Sequence, residues 1–191
     1  MHFEDGTVMK LYRQTVEDFG LYPGMELTDQ EYKKLTEAAS KMSARMRAVR
    51  IVSAAGVSKK DLERRLIQKG EDPTQAKAAV DWMAELELVD DLKTAQQIVD
   101  RCVSRGYGLQ RAKQALYEKR IPKEYWQHVL EDYPDQTDAI TDYLRQHIID
   151  PADEKQRRKA IDALIRRGHS YTQIRKGLED LSLSADEFPE D

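Results

Sequence analysis

Residues 106–122, the stretch that decides the fold, read GYGLQRAKQALYEKRIP. Gly106 supplies the backbone freedom that ends one helix. Between this glycine and Pro122 the letters predict a short basic helix, because Ala112 and Leu116 recur one turn apart among charged residues. Pro122 breaks that helix and is tolerated in the first turn of another. The stretch therefore predicts a helix stop, a basic helix and a break before a third helix.

Looser copies of this pattern lie about fifty residues upstream and downstream. A shift of 50 residues places Leu66 on Leu116, and a further shift of 48 places Leu116 on Leu164. A basic residue precedes each of the three helix stops, as Lys69, Lys119 and Arg167. A competing shift of 62 residues aligns Gly106 with Gly168, but it pairs the first helix of one unit with the second helix of the next. We prefer the near-even period, which predicts three units of three short helices.

Polar caps indicate where individual helices begin. Thr28 and Glu31 form a capping box, Ser58 is a helix cap, and Asp72 caps a helix that has a proline in its first turn. We expect one helix from about residue 28 to 41 and another from about 44 to 55, closed by a left-handed Gly56. The residues before 28 carry weaker signals, with at most a short strand near residues 8–12.

The predicted fold class is all-α: an elongated tandem array of three three-helix, helix-turn-helix-like repeats behind a small N-terminal extension. Each helix is about 10–15 residues long and marginal alone, so packing within and between repeats must hold it. The predicted layout is an extension and leading helix at 1–44, repeats at 45–89, 90–134 and 135–181, and an acidic mobile tail at 182–191.

The formal net charge of −4 conceals a strong segregation of charge along the chain. Residues 1–31 carry seven acids and two bases, and residues 179–191 carry six acids and no base. Three basic segments lie between these ends: 41–69 (nine bases, two acids), 93–120 (seven, two) and 155–176 (eight, one). Such a distribution predicts a polyanionic partner, with acidic ends that moderate non-specific contact.

Several classes of protein are disfavoured by what the sequence lacks. The single cysteine, Cys102, excludes an internal disulfide framework, and it falls in an apolar helix stripe as a buried small hydrophobe would. No secretory signal and no membrane-length apolar run is visible, so we expect a cytoplasmic protein. Four scattered histidines and the pair Asp90-Asp91, expected to cap a helix, predict no metal site. Phosphate-binding, dinucleotide and nucleophile-elbow motifs are missing, so we expect neither an enzyme nor a cofactor.

With these motifs assembled, the second and third units resemble the RecX family, regulators of the bacterial recombinase RecA. The order and spacing of the resemblance extend over roughly residues 45–180. Two positions depart from the family pattern: Thr94 stands where an aromatic residue is usual, and Arg120 replaces the glycine of a Lys-Gly stop. The matching residues are Leu88-Val89-Asp90-Asp91, Ala95 with Ile98-Val99, Arg105-Gly106-Tyr107-Gly108, Ala115-Leu116 with Lys119, Ile121-Pro122, Arg157-Arg158-Lys159-Ala160 and Leu164-Ile165-Arg166-Arg167-Gly168.

The resemblance implies a non-catalytic, cytoplasmic monomer that binds along the groove of the RecA–single-stranded DNA filament. Such a protein bridges neighbouring protomers, restrains strand exchange, ATPase and coprotease activity in DNA repair and the SOS response, and promotes disassembly. Weaker direct contact with single- or double-stranded DNA is also implied. The residues alone leave two alternatives open: a helical-repeat nucleic-acid-binding protein that acts without RecA, and an enzyme of unrecognised type.

The candidate contact residues are basic side chains on helix faces away from the apolar stripes. Arg and Lys can contact phosphates or carboxylates, and the alternative for each is a solvated face that keeps the protein soluble. Tyr107, between two glycines, can stack on a base or anchor an interface, or else pack against its neighbouring helix. The basic candidates are Arg64, Arg65, Arg111, Lys113, Arg157, Arg158, Lys159, Arg166 and Arg167.

Overall fold

The computed structural model describes residues 1–4 and 6–181, and within them the chain forms ten α-helices. The described residues contain no β-strand, only an isolated bridge between His2 and Val8. The helices are α1 Arg13–Asp18, α2 Asp29–Ala54, α3 Lys59–Gln68, α4 Pro73–Glu85, α5 Asp91–Ser104, α6 Leu109–Glu118, α7 Trp126–Leu130, α8 Thr137–His147, α9 Glu154–Arg166 and α10 Tyr171–Asp180. The prediction of an all-α fold is confirmed. The predicted acidic tail at 182–191 lies outside the described residues.

The predicted caps form as the sequence indicates. Thr28 accepts from the Glu31 amide at 3.3 Å while the Glu31 carboxylate accepts from the Thr28 amide at 2.8 Å, which completes the capping box of α2. Ser58 accepts from the Asp61 amide, and Asp72 accepts from two amides at the start of α4. These side chains satisfy amide groups that have no partner inside the first turn of a helix.

Four local predictions were wrong. The expected break near residues 41–44 does not occur, because α2 runs unbroken for 26 residues and no glycine or proline interrupts it there. Gly56 is not left-handed; α2 ends at Ala54, and its C-cap residue Ala55 has an extended backbone. The expected strand near residues 8–12 does not form: Val8 makes only an isolated bridge with His2, and α1 begins at Arg13. The single helix expected from Pro122 onward is instead a 3-10 turn, Lys123–Tyr125, followed by the five-residue α7.

The helices group into three modules, each with its own apolar core. The first module (α2, α3 and α4) is centred on Leu62, Leu66 and Met83. The second module (α5, α6 and α7) encloses Leu116, Ile121 and Val129, and the third module (α8, α9 and α10) encloses Ile140, Leu164 and Leu178. The chain divides into two compact units, of which the first ends at Asp90 and the second, holding the second and third modules, begins at Asp91.

The middle helices of the three modules end in the same way. The residue after each C-cap has a left-handed backbone, with φ of 87° at Gly70, 56° at Arg120 and 86° at Gly168. A non-glycine residue rarely adopts this conformation, so Arg120 carries strain that the two glycines avoid. No helix in the described part of the chain combines the length and hydropathy needed to cross a bilayer.

Candidate binding surfaces

The two arginines of α3 are held by a buried acid in their own helix. The Asp61 side chain is 2% exposed and receives Arg64 Nη2 and Arg65 Nε at 2.8 Å each. Asp61 sits in the first turn of α3, where its amide donates to the Ser58 hydroxyl. Because leaving a buried carboxylate without partners is costly, Arg64 and Arg65 stabilise the first module whatever else they contact.

On α6 the basic candidates are only partly accessible. Arg111 is one-third exposed and pairs with Glu118 at 3.2 Å. Its backbone lies directly under Gly168 of the third module. Lys113 is half-buried on the neighbouring side of the helix. The charge of α6 is therefore partly committed to contacts inside the second unit.

Among the helices that carry the predicted basic contact residues, α9 has the most exposed ones. Arg158, Lys159 and Arg166 are all exposed, and the helical period of 3.6 residues places them on one side together with Lys155. One acid, Asp162, lies within the same face. The opposite side of α9 carries Ala160, Ile161 and Leu164, which are buried in the core of the third module. We call Lys155, Arg158, Lys159 and Arg166 the basic face of α9.

Two predicted site residues of the third module do not belong to this face. Arg157 is half-buried and lies on the side of α9 that leads to Ile161 and Leu164. Arg167 follows the helix, and its guanidinium carbon stands 4.1 Å from the centre of the Tyr143 ring in a cation–π contact. Tyr143 also stacks on His147, with ring centres 3.8 Å apart.

Two tyrosines of the second module differ in exposure, and only Tyr107 was predicted as a contact residue from the sequence. Tyr107 is half-buried, and its carbonyl accepts from the Tyr133 hydroxyl at 2.7 Å. Tyr117 on α6 is 72% exposed and was not singled out from the sequence. Its position, one residue after the buried Leu116 and four after Lys113, was the signal that it faces outward beside a base.

A close joint connects the second and third modules. The Gly108 amide donates to the Arg167 carbonyl at 2.9 Å, and the Gln110 amide donates to the Gly168 carbonyl at 3.2 Å. A methyl group on Gly108 would stand 2.1 Å from the Gly168 carbonyl oxygen. His169, 4% exposed, lies 3.0 Å from the Gly106 carbonyl through Nε2. These two loops, 106–108 and 167–169, are called the joint below.

The remaining candidates with reactive or polar side chains are buried or half-buried and show no sign of a catalytic or metal-binding role. Cys102 is buried in the second module, and burial raises the pKa of its thiol, so the thiolate needed for nucleophilic attack is disfavoured. Burial also raises the pKa of Tyr133 to about 12. Asp91 is buried at the start of α5, and the described residues contain no cluster of ligands that could hold a metal ion. The half-buried Trp126 donates to the Ile121 carbonyl at 3.1 Å and packs on the same core.

Comparison with known proteins decides the family. A regulatory protein RecX of Xanthomonas citri is 33% identical over 121 residues, which cover 62% of this chain and 75% of that protein. The regulatory protein RecX of Neisseria meningitidis is 31% identical over 138 residues, covering 72% of this chain and 90% of its own length. The chain belongs to the RecX family. The resemblance predicted from the sequence motifs is thereby confirmed, and this RecX-family chain is similar to proteins named as regulators.

Solved RecX structures share the fold. The crystal structure of a regulatory protein RecX superposes with a TM-score of 0.64 at 17% identity, over 92% of this chain and 91% of that one. RecX from Lactobacillus salivarius also gives a TM-score of 0.64, at 18% identity, over 76% of this chain and 98% of that one. No family model matches the chain.

Proposed function

We propose that this RecX-family protein binds a RecA-type recombinase filament on single-stranded DNA and inhibits its strand exchange, ATPase and coprotease activity. It acts as a non-catalytic regulator in DNA repair and the SOS response. The observation that carries the proposal is the basic face of α9, where four cationic side chains line one side of a helix and a single acid accompanies them.

The length and charge of this face suit a polyanionic filament. A helix of 13 residues is about 20 Å long, so its exposed cations can reach several phosphates or carboxylates at once. Their side chains are long and directed to solvent, whereas Arg64 and Arg65 are drawn to Asp61. The cationic contribution to binding therefore falls chiefly on α9.

The recombinase ATPase provides the direct test. We expect turnover of a RecA-type enzyme on single-stranded DNA to fall as this protein is added up to stoichiometric excess, because a ligand that bridges protomers opposes the cycling of the filament. ATP hydrolysis is measured at fixed DNA and recombinase concentrations. Turnover that stays unchanged at stoichiometric excess contradicts the proposal.

Substitution of the basic face locates the contact. We expect R158A/K159A/R166A to weaken filament binding by about ten-fold or more and to lessen its salt dependence, since each cation removed lowers the number of released counterions. Arg157 is left in place because it is half-buried. The matched control is K33A/K34A/K41A, which removes three exposed cations from α2. Equal loss in both triple variants would mean that net charge, and not this face, governs binding.

A second function is supported by the same cations, namely nucleic-acid binding that does not involve a recombinase. Exposed Lys and Arg on a helix bind phosphates without reading sequence. Titration on bare single- and double-stranded DNA discriminates between the two: tight, salt-sensitive binding together with an unchanged recombinase favours this alternative.

A further inference from the structure

Tyr117 stands out among the aromatic residues by its exposure. Its side chain is 72% exposed, compared with 64% for Tyr22 and 42% for Tyr171. It occupies the last turn of α6, whose first turn is packed in the joint against Gly168. Stacking on a planar partner removes the apolar faces of an exposed aromatic ring from water, which is favourable, so such a ring is suited to stacking on a base.

Cations accompany the ring along α6 and just beyond it. Residues 109–120 contain four bases and one acid, and that acid, Glu118, is already in contact with Arg111 and Gln114. Lys113 lies four residues before Tyr117, so the two side chains share one side of the helix about one turn apart. Arg120, exposed and left-handed, follows three residues after the ring.

We infer that the surface of Lys113, Tyr117 and Arg120 binds single-stranded nucleic acid, with an unpaired base stacked on the Tyr117 ring and neighbouring phosphates near the two cations. This inference deepens the proposed function, since it assigns the direct contact with single-stranded DNA to a particular surface of the second module. Base stacking on tyrosine is tolerant of sequence, because every base offers a π face. The bases of a duplex are already stacked on one another, so the surface selects unpaired strands.

Charge favours a polyanion such as nucleic acid over a neutral or basic protein surface. The residues around Tyr117 carry an excess of three positive charges, counting four bases against one acid in 109–120. Equivalent positions in the other modules are aliphatic, Ile67 in α3 and Ile165 in α9, and neither can stack as an aromatic ring does. At this position of the repeat, only the second module therefore combines an exposed ring with adjacent cations.

The test uses the full-length protein and a fluorescein-labelled oligothymidylate of about 20 nucleotides, a length that exceeds the site size of typical single-strand binders. Binding is followed by fluorescence anisotropy for the wild type, Y117A and Y117F. Tyr22, which is 64% exposed and lies in the N-terminal region, provides the matched control Y22A. Because Tyr117 is exposed, Y117A is expected to fold, and circular dichroism checks that it does.

We expect Y117A to weaken binding of the oligonucleotide about ten-fold, while Y117F and Y22A remain close to the wild type, because stacking needs the ring and not the hydroxyl. Binding by Y117A that equals wild type overturns the inference, as does a wild-type protein that does not bind the oligonucleotide. If Y117A instead loses ATPase inhibition while the oligonucleotide is ignored by all variants, Tyr117 contacts the recombinase protein and the inference is wrong. The proposed function fails separately, when the wild-type protein leaves recombinase turnover unchanged.

Discussion

The first and third modules end their middle helices with the same residue in nearly the same conformation, yet in opposite surroundings. Gly70 and Gly168 have φ of 87° and 86°. A methyl group on Gly70 would meet nothing within 4 Å, whereas one on Gly168 would stand 2.2 Å from the Arg111 backbone nitrogen. Gly70 is required only by the left-handed backbone of its own turn, whereas Gly168 is also required by its close contact with the second module.

The arginines of these two modules differ in the same manner. On α3 they converge on Asp61, which is 2% exposed, while on α9 Arg158, Lys159 and Arg166 point to solvent. The repeat alignment places Lys159 where α3 has Asp61. The basic residues before the helix end therefore pair with a buried acid in α3 but form an exposed surface on α9. The two helices differ in that α3 has Asp61 where α9 has Lys159.

The largest effect is expected for Gly168→Ala compared with Gly70→Ala. Both substitutions place a β-carbon on a left-handed residue, which costs about 1–2 kcal/mol, but only G168A also drives a methyl group into the joint. We expect G168A to lower the free energy of unfolding of the second unit by about 3 kcal/mol or more. Urea unfolding in a W82F background, which leaves Trp126 as the reporter, measures this value.

The partner variant gives the baseline for that measurement. G70A, followed through Trp82 in a W126F background, is expected to cost the first unit only about 1–2 kcal/mol. Equal losses of unfolding free energy in the two variants would show that the joint rearranges to accept the methyl group at no cost. The close approach of Gly168 to Arg111 would then contribute nothing to stability.

Asp61→Ala should have the next largest effect. Removing a buried carboxylate leaves two arginines without their partner and an empty space beside Ser58, so we expect a loss of about 2 kcal/mol in the first unit. The guanidinium groups are about one-third exposed, and water therefore offsets part of the cost. The measurement is urea unfolding followed through Trp82.

Asp162→Ala is the matched control, because Asp162 is an exposed acid in the equivalent helix α9. Its loss should change stability by less than about 0.5 kcal/mol and should leave the basic face of α9 more positive. A D162A variant as unstable as D61A would contradict the distinction between the two helices.

Much of the fold follows from local signals in the sequence. Thr28, Ser58 and Asp72 predict helix starts because each cap satisfies amides within three residues of itself. Gly106 and Gly168 predict helix ends for an equally local reason. The false break in α2 arose from expecting short helices in a segment that contains no breaker.

The site was less predictable, since exposure depends on partners distant in sequence. Nothing near Gly108 indicates that it lies against Gly168, 60 residues later. The sequence predicts Arg64 and Arg158 alike as contact residues, but in the structure Arg64 pairs with the buried Asp61 while Arg158 is exposed. Likewise Tyr107 is half-buried beside Tyr133, 26 residues later, whose hydroxyl donates to its carbonyl, whereas Tyr117 is exposed.

The smallest effect we predict is a pH dependence confined to the third module's side of the joint. Burial lowers the pKa of His169 below its ordinary value of 6.5, the Gly106 carbonyl opposes the shift, and Arg167 adds to it. Between the two pKa values the unfolded chain holds a proton that the folded chain lacks, so stability is complete above pH 6.5 and declines as the pH falls below it. The slope for one proton is at most about 1.4 kcal/mol per pH unit.

The first module has no counterpart to this buried histidine, because Glu71 follows Gly70 where His169 follows Gly168. The test follows unfolding of the second unit through Trp126 from pH 7.5 to about pH 5. We expect H169Q to lose the part of the pH dependence of stability that His169 causes. We expect H128Q, which replaces an exposed histidine, to retain it. Glutamine can still donate to the Gly106 carbonyl but does not titrate. If H169Q keeps the full acid sensitivity, the joint does not exclude the proton, and the carboxylates of the second unit must account for the pH dependence instead.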